Sequence, residues 1–236
     1  LPQKQKTAPF RNTNDNKKSY LKQKKSLLEK YKKGVMQKIF SQEIRFKDEN
    51  GLEYPKWETR VLGDLIVFRN GKAHEQHITE NGEFIVVNSK FISTAGEVKK
   101  FTDTQICPLL FGDVVMVMSD IPNGKALAKC FFINRNDKYT LNQRICALNP
   151  INVEPKFLFY ILNRNKYYLM FDSGVGQTNL TKDEVLDCPV FIPKSIIEQT
   201  KISNFLSAID DKLIQTQSQI EKTAMWKKGL LQQMFV

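Results

Sequence analysis

A ten-residue phrase that occurs twice constrains this chain more than any other feature. YKKGVMQKIF at residues 31–40 returns as WKKGLLQQMF at residues 226–235, which is 195 positions later (226 − 31). Two lysines, a glycine, a glutamine and a phenylalanine recur at matching places, and Tyr31 is replaced by Trp226. That order is too regular to result from composition, and a missed repeat misreads the whole architecture. Any fold proposed for the chain has to explain why the same short phrase is used twice.

Both copies lie in segments with helical periodicity. Residues 17–41 predict a basic amphipathic helix, preceded by an irregular lead-in at residues 1–16. The expected packing stripe of this helix is Leu21, Leu28, Tyr31, Val35 and Ile39. Residues 196–236 predict a longer helix whose seam positions alternate spacings of four and three, as in a coiled coil. The expected seam is Ile202, Leu206, Ile209, Leu213, Thr216, Ile220, Thr223, Lys227, Leu230 and Met234.

A lone helix of that length needs a partner, and the front helix is the obvious one. Glycine inside a helix costs about 1 kcal/mol, so the recurrence of Gly34 as Gly229 indicates either close packing or a local kink.

Residues 42–195, between the two helices, carry a different pattern. Short β-branched or aromatic runs such as FIVV, DVVMVM and RICAL are separated by Gly and Asn, which predicts strands. One helix interrupts them, with Pro155 suited to its first turn. The predicted fold class is therefore α+β: one mixed α/β globular domain flanked by two long helices.

The net charge of +11 invites a nucleic-acid interpretation, but its distribution matters more. Residues 1–40 hold 12 basic and 2 acidic side chains, residues 41–197 hold 19 of each, and residues 198–236 hold 5 and 4. DNA binding by the neutral middle would have to come from specific groups. No apolar run is long enough to span a membrane and no charged-then-apolar leader opens the sequence, so a cytoplasmic location without membrane contact is expected.

Motifs for catalysis are not found. The four cysteines form no C-x-x-C pair, so neither a disulfide framework nor a zinc site is indicated, and His74 with His77 is better explained as a polar loop than as a metal site. An adenine methyltransferase would need a Gly-rich cofactor loop and an Asn/Asp-Pro-Pro-aromatic tetrapeptide. Asp137 with Glu154 and Lys156 fits only the loosest nuclease pattern, since Glu154 is better explained as a first-turn helix carboxylate. A non-enzymatic chain is expected.

Four loops, at residues 68–76, 87–93, 118–126 and 172–181, are instead rich in hydrogen-bonding side chains. Base edges in the major groove are read by such groups: Arg or Lys on guanine, Asn or Gln on adenine, Asp or Glu on cytosine. The alternative is that these residues simply populate surface turns. The candidate DNA-binding residues are Arg69, Asn70, Lys72, His74, Gln76, Asn88, Ser89, Lys90, Ser119, Asp120, Asn123, Lys125, Ser173, Gln177, Thr178 and Asn179.

An ordered series of phrases resembles a known family. KKGVMQKIFS, EIRFKDENGLEYPKWE, VLGDL, LNQRICAL, GVGQTNLT, PVFIPKSIIEQTKISNFLSAIDDKL and KKGLLQQMF together resemble the second half of the specificity (S) subunit of type I restriction-modification systems. The resemblance implies a target-recognition domain at residues 42–195. It also implies a central conserved helix at 17–41 and a C-terminal conserved helix at 196–236, packed antiparallel as a coiled coil.

The function implied by the resemblance is sequence-specific reading of one half of a bipartite target in double-stranded DNA. Methyltransferase (M) subunits would dock on the chain, a restriction and motor (R) subunit would join them, and S-adenosylmethionine, ATP and Mg²⁺ would belong to those partners. A half-length subunit could also form a homodimer. The alternatives are a helical scaffold that does not read DNA sequence and, with less support, a nuclease.

Overall fold

The computed structural model describes the backbone of residues 2–122 and 124–233, and the side chains of residues 14–122, 124–229 and 232. The chain divides into two compact units. The helical unit contains the residues up to Phe46 and those from Asn204 onward, and the globular unit is Lys47–Ser203.

Two long helices make up most of the helical unit: α1 at Pro2–Phe40, and the part of α6 (Ile196–Gln233) that follows Ser203. Side-chain contacts between described residues join them. Asp15 accepts from Lys227, Lys25 donates to Gln217 at 2.9 Å, and Lys32 donates to Asp210. Along α1 the residue numbers of these contacts rise by ten and then by seven, whereas the numbers of their partners on α6 fall by ten and then by seven. The two helices therefore run in opposite directions.

The repeat explains two of these contacts. Lys32 and Lys227 are equivalent positions in the two copies, 195 residues apart, and their partners Asp15 and Asp210 are separated by the same 195 residues (210 − 15). Each helix therefore supplies one lysine and one aspartate at corresponding places. The two ion pairs are related by the same offset as the repeated phrase.

Burial in the helical unit follows most of the expected stripe. Leu21 and Ile39 of α1 are buried, as are Leu206, Ile209, Thr216 and Ile220 of α6, and Leu28, Val35 and Leu213 are half-buried. Tyr31 differs, because its side chain is exposed. At about 100° per residue Tyr31 lies about 80° away from Leu21 around the helix. The side chain of Leu230 lies outside the described residues.

The start of α1 differs from the irregular lead-in expected at residues 1–16, because the helix begins at Pro2. A proline is compatible with the first turn of a helix, where its missing N–H has no partner to lose. Asp15 is also held by Lys227 of α6. Contact with α6 thus outweighs the low helix propensity of the Asn-rich run. The local sequence could not reveal that contact.

The glycines of the repeat do not mark close packing. A Cβ built at Gly34 or at Gly229 meets no atom of the described residues within 4 Å. Trp226, like its counterpart Tyr31, is exposed. The shared phrase therefore places its aromatic residue and its glycine in similar environments on both helices.

Two four-stranded sheets form the centre of the globular unit. The first is antiparallel throughout, in the order β2 (Ile66–Asn70), β10 (Ile145–Pro150), β6 (Val114–Val117), β8 (Cys130–Phe132). The second has the order β3 (Ile78–Thr79), β5 (Phe101–Thr102), β4 (Phe84–Val87), β9 (Tyr139–Leu141), and its β4–β9 pair is parallel. Two separate ladders pair β1 (Glu58–Val61) with β12 (Pro189–Ile192) and β7 (Ser119–Asp120) with β11 (Thr178–Asn179).

The described part of the globular unit also contains four short α-helices, α2 (Ser89–Ser93), α3 (Pro155–Leu162), α4 (Lys166–Leu169) and α5 (Lys182–Leu186), and 3-10 turns at Leu62–Asp64 and Glu75–His77. The starts of the α-helices carry ordinary capping groups. The Glu154 carboxylate accepts from the Phe157 N–H at 2.6 Å, with Pro155 in the first turn as predicted. Thr181 and Glu184 form a reciprocal capping box on α5.

The core of the globular unit lies where β6 and β10 meet the second sheet and α2. Its buried members include Val115, Val117, Ile145 and Ala147 from the first sheet, and Phe91 from α2. The β-branched runs predicted as strands supply these side chains. The α+β fold class is confirmed, and α6 is the long C-terminal helix that the heptads predicted. No helix among the described residues combines the length and the apolar character that crossing a bilayer requires.

Candidate nucleic-acid interface

Three of the four polar loops meet at one turn of the chain, residues 141–145, and the fourth is joined to them through Met118. The Lys72 N–H donates to the Leu141 carbonyl at 3.1 Å, and the Asn142 N–H donates to the Val87 carbonyl at 3.1 Å. On the other side of the turn, the Met118 N–H donates to the Arg144 carbonyl at 3.0 Å. The Met118 carbonyl in turn accepts from the Leu180 N–H at 2.8 Å, which adds the fourth loop. Segments far apart in sequence therefore share one edge of the globular unit.

The loops at 118–126 and 172–181 are joined most closely, because β7 and β11 pair with Asn179 opposite Ser119 and Thr178 opposite Asp120. Side chains alternate along this short ladder. Thr178 is buried and bonds Asp172 at 3.4 Å, whereas Gln177 and Asn179 are exposed. The Gln177 Nε2 donates to the Ser119 Oγ at 2.7 Å and to the Asn179 Oδ1 at 3.3 Å.

Asp120 has an internal role rather than the base-contacting role that the sequence suggested. Its carboxylate accepts three backbone N–H groups, from Ile121 at 2.9 Å, Ala126 at 2.6 Å and Leu127 at 3.0 Å. These bonds close the loop on itself and fix the position of Ile121. Lys125 on the same loop is exposed, and Asn123 lies outside the described residues.

Two candidates from the loop at 68–76 also serve the fold. Arg69 donates to the carboxylate of fully buried Asp113 and, at 2.9 Å, to the Pro108 carbonyl. His74 is only 1% exposed, with Nδ1 2.7 Å from the Lys72 carbonyl and Nε2 2.8 Å from the Thr140 hydroxyl. Both ring nitrogens are therefore occupied inside the protein, which corrects the expectation that His74 faces DNA.

The remaining candidates are one helix cap, two serines that are buried or half-buried, and a set of exposed side chains. Asn88 accepts from the Phe91 N–H at 2.9 Å and so caps α2, which accounts for its place in the loop. Ser119 is buried beneath Gln177, and Ser89 is half-buried. The candidates whose side chains are exposed are Asn70, Lys72, Gln76, Lys90, Lys125, Ser173, Gln177 and Asn179.

The residues that the sequence analysis missed are Gln143 and Arg144, which lie in the central turn. Both are exposed, and Arg144 has a φ of 65°, in the left-handed region that non-glycine residues seldom adopt. Gln143 donates to the Glu75 carboxylate at 2.8 Å. The available signal was the polar Asn-Gln-Arg run placed between two buried strand residues.

Glu75 lies at the edge of this turn, and its surroundings favour the ionised carboxylate. Its own backbone N–H is the main cause that lowers its pKa, and the side chains of Gln143 and Asn142 and the His74 N–H add to the effect, against a smaller opposing effect of burial. An anion is thus held beside exposed Gln143.

Reactive groups elsewhere are already engaged. Among the described residues, no three His, Cys, Asp or Glu side chains are grouped as a metal site would require. Glu154, of the loose nuclease pattern, caps α3, and the Lys156 ammonium lies 5.8 Å from the centre of the Phe132 ring. Burial raises the pKa of the Cys146 thiol to about 12, which leaves it protonated at neutral pH.

The fold and this edge define a class: a mixed α+β domain that presents amide and cationic side chains on converging loops, attached to long helices. The sequence model of the type I restriction modification DNA specificity domain matches residues 54–223, well over half of the chain. The chain belongs to that family, which confirms the resemblance seen in the sequence.

Two curated relatives agree with this assignment. The chain is 26% identical over 213 residues to a putative type I restriction enzyme MjaX specificity subunit of Methanocaldococcus jannaschii, covering 83% of this chain and 49% of the relative. It is 23% identical over 160 residues to a putative type I specificity subunit of Mycoplasma pneumoniae, S.MpnORF638P, covering 65% and 39%. The chain therefore spans about half the length of the relatives it matches, or less.

Solved structures share the fold. The S subunit of a type I restriction-modification system from M. genitalium matches with a TM-score of 0.67 at 18% identity, over 94% of this chain and 58% of that one. The HsdS subunit of Thermoanaerobacter tengcongensis gives 0.53 at 15% identity, over 95% and 56%. A structure from work on complex assembly of the type I R-M system gives 0.55 at 15% identity, over 100% and 60%.

Proposed function

We propose that this chain reads the nucleotide sequence of double-stranded DNA as half of a type I specificity subunit, recognising one half of a bipartite target. The observation that carries the proposal is the meeting of three polar loops at residues 141–145, with the fourth joined to them through Met118, in a chain of this family. Exposed amides and cations at one edge suit hydrogen bonding to base edges, and backbone N–H groups suit phosphates.

The charge distribution supports recognition of the DNA sequence rather than non-specific electrostatic attraction to the phosphates. Residues 41–197 are neutral, with 19 basic and 19 acidic side chains. Non-specific affinity for DNA comes mainly from neutralised phosphates and falls steeply with salt. The globular unit alone should therefore bind DNA weakly. Its affinity should nevertheless differ strongly between one DNA sequence and another.

The helical unit has the proposed role of an antiparallel coiled coil that docks methyltransferase subunits. The two offset-related ion pairs support the paired arrangement of α1 and α6. On α1, Tyr20, Leu27 and Tyr31 are exposed on a helix rich in lysine, and such a face suits a partner helix with apolar and acidic groups. The chain itself performs no chemistry in this proposal, and the restriction and motor subunit joins through the partners.

Reading a bipartite site needs two recognition domains, of which residues 42–195 would supply one. We propose a homodimer through the helical units, which would make the composite target palindromic. Light scattering of the chain with its methyltransferase subunit should give two copies of each. A complex that holds a single copy at all concentrations would contradict the dimer and leave DNA reading untouched.

The proposed function is tested by mapping the adenines methylated when the chain and its cognate methyltransferase subunit are incubated with genomic DNA. A defined sequence context is expected. Replacing Gln177 and Asn179 with alanine should broaden that context while thermal unfolding stays unchanged. Assembly with the methyltransferase but no sequence context would support the scaffold alternative instead.

A further inference from the structure

We infer that the face formed by Ile121, Gln177 and Asn179 reads one A·T base pair in the major groove, with the two amides on adenine and Ile121 on the thymine methyl group. This inference rests on the proposed function, because it names what one part of the DNA-reading edge recognises. It adds Ile121, an apolar residue, to a set otherwise chosen for polarity.

The register of β7 and β11 places these three side chains together. Thr178 lies opposite Asp120 and Asn179 opposite Ser119, and Gln177 and Ile121 are the next residues of the two chains at the same end of this ladder. Directly opposite residues point to the same side of a ladder. Thr178 and Asp120 point to the other side, where Thr178 is buried and Asp120 binds backbone N–H groups.

The hydrogen bonds of Gln177 fix which atoms the face presents. Both hydrogens of its Nε2 are used, one by the Ser119 Oγ at 2.7 Å and one by the Asn179 Oδ1 at 3.3 Å. That leaves the Gln177 Oε1 as an acceptor and the Asn179 Nδ2 as a donor. Adenine offers a donor at N6 and an acceptor at N7 in the major groove, whereas guanine offers two acceptors. The pair therefore matches adenine and opposes guanine.

Ile121 supplies the apolar part of the face. Its side chain is 69% exposed, although it is a large aliphatic group. Its backbone is held on both sides, since its N–H donates to Asp120 at 2.9 Å and its carbonyl accepts from the Gly124 N–H at 2.9 Å. Thymine alone among the four bases carries a methyl group at C5 in the major groove. An ordered aliphatic side chain beside an adenine-reading pair suits the thymine of the same base pair.

The first experiment selects preferred sequences from a library of randomised duplexes, using the full chain with its cognate methyltransferase subunit. The wild-type protein is expected to select an A·T pair at a position where the Gln177→Ala, Asn179→Ala double variant loses discrimination by about tenfold or more. Loss at a G·C position, or no loss at any position, would overturn the inference. Failure of the wild-type protein to select any sequence would refute the proposed function itself.

The second experiment removes the methyl group from the DNA. The selected duplex is made with deoxyuridine in place of the thymine at that position, and wild-type binding is expected to fall about three- to fivefold, the effect of one buried methyl group. Ile121→Ala should bind both duplexes equally. Ile151→Ala, which shortens an exposed isoleucine outside the four loops, should keep the wild-type difference. Equal wild-type affinity for the two duplexes would rule out the contact with the methyl group.

Discussion

The globular and helical units are stabilised in different ways. In the globular unit, Phe157, Leu158 and Tyr168 are completely enclosed, and whole strands such as Val114–Val117 are buried. In the helical unit, one stripe along each helix is buried, it includes the polar Thr216, and side-chain polar contacts join the helices. The stability of the globular unit therefore depends on close packing in three dimensions. The stability of the helical unit depends on a narrow buried stripe between two helices. Substitutions should therefore have effects of different size and different salt dependence in the two units.

The largest effect is expected in the globular core. Phe157→Ala removes a fully buried ring that meets Trp57 edge to face at 6.1 Å, and should lower the free energy of unfolding by about 3–5 kcal/mol. Phe111→Ala removes an exposed ring with a similar edge contact to Phe132 at 5.9 Å, and should cost less than about 1 kcal/mol. Urea unfolding followed by tryptophan fluorescence measures both. Equal losses would show that packing in this unit is not what stabilises it.

An intermediate effect is expected in the seam. Leu213→Asp places a charge at a half-buried seam position and should cost about 2–3 kcal/mol, with loss of helical circular dichroism and of methyltransferase binding. Ile214→Asp, one residue further on, changes a side chain that is 67% exposed and should alter stability by about 0.5 kcal/mol. Unaltered subunit pairing in the Leu213 variant would remove the seam from the assembly proposal.

The smallest effects are expected from the two ion pairs. Lys32 and Asp210 are 21% and 30% exposed, and Lys227 and Asp15 are 33% and 52% exposed. Asp210→Asn should cost about 0.5–1 kcal/mol, and Asp15→Asn less than about 0.5 kcal/mol, because water screens the more exposed pair. Both losses should shrink in 1 M salt. A larger loss for Asp15→Asn than for Asp210→Asn would mean that the Lys227–Asp15 pair contributes more to stability than the Lys32–Asp210 pair.

Much of the architecture could be predicted from the sequence. Periodicity located the C-terminal helix and most of its buried stripe, and β-branched runs located the strands that became the core. The start of α1 could not be predicted, because Asp15 is held by a lysine more than 200 residues away in the chain. The sequence analysis placed Tyr31 in the packing stripe of α1. With 3.6 residues per turn, however, its side chain lies away from that stripe.

The candidate site was predictable in its loops but not in its individual residues. Polar composition identified the four loops, yet it could not distinguish Asp120 and His74, which hold the fold, from Gln177 and Asn179, which face outward. That distinction depends on strand register and on backbone N–H groups that only the folded chain brings close. Arg144 was missed because its positive φ and its central position arise from contacts between loops.

The pairing of β1 with β12 has a consequence for how such chains can diversify. Glu58 lies opposite Ile192 and Val61 opposite Pro189, so one short ladder brackets everything from residue 62 to residue 188. Genetic exchange with breakpoints in these two strands would deliver a new set of loops whose ends already meet correctly. The β1–β12 ladder would stay constant while the loops between its strands changed, and under the proposed function two crossovers would give the chain a new target sequence.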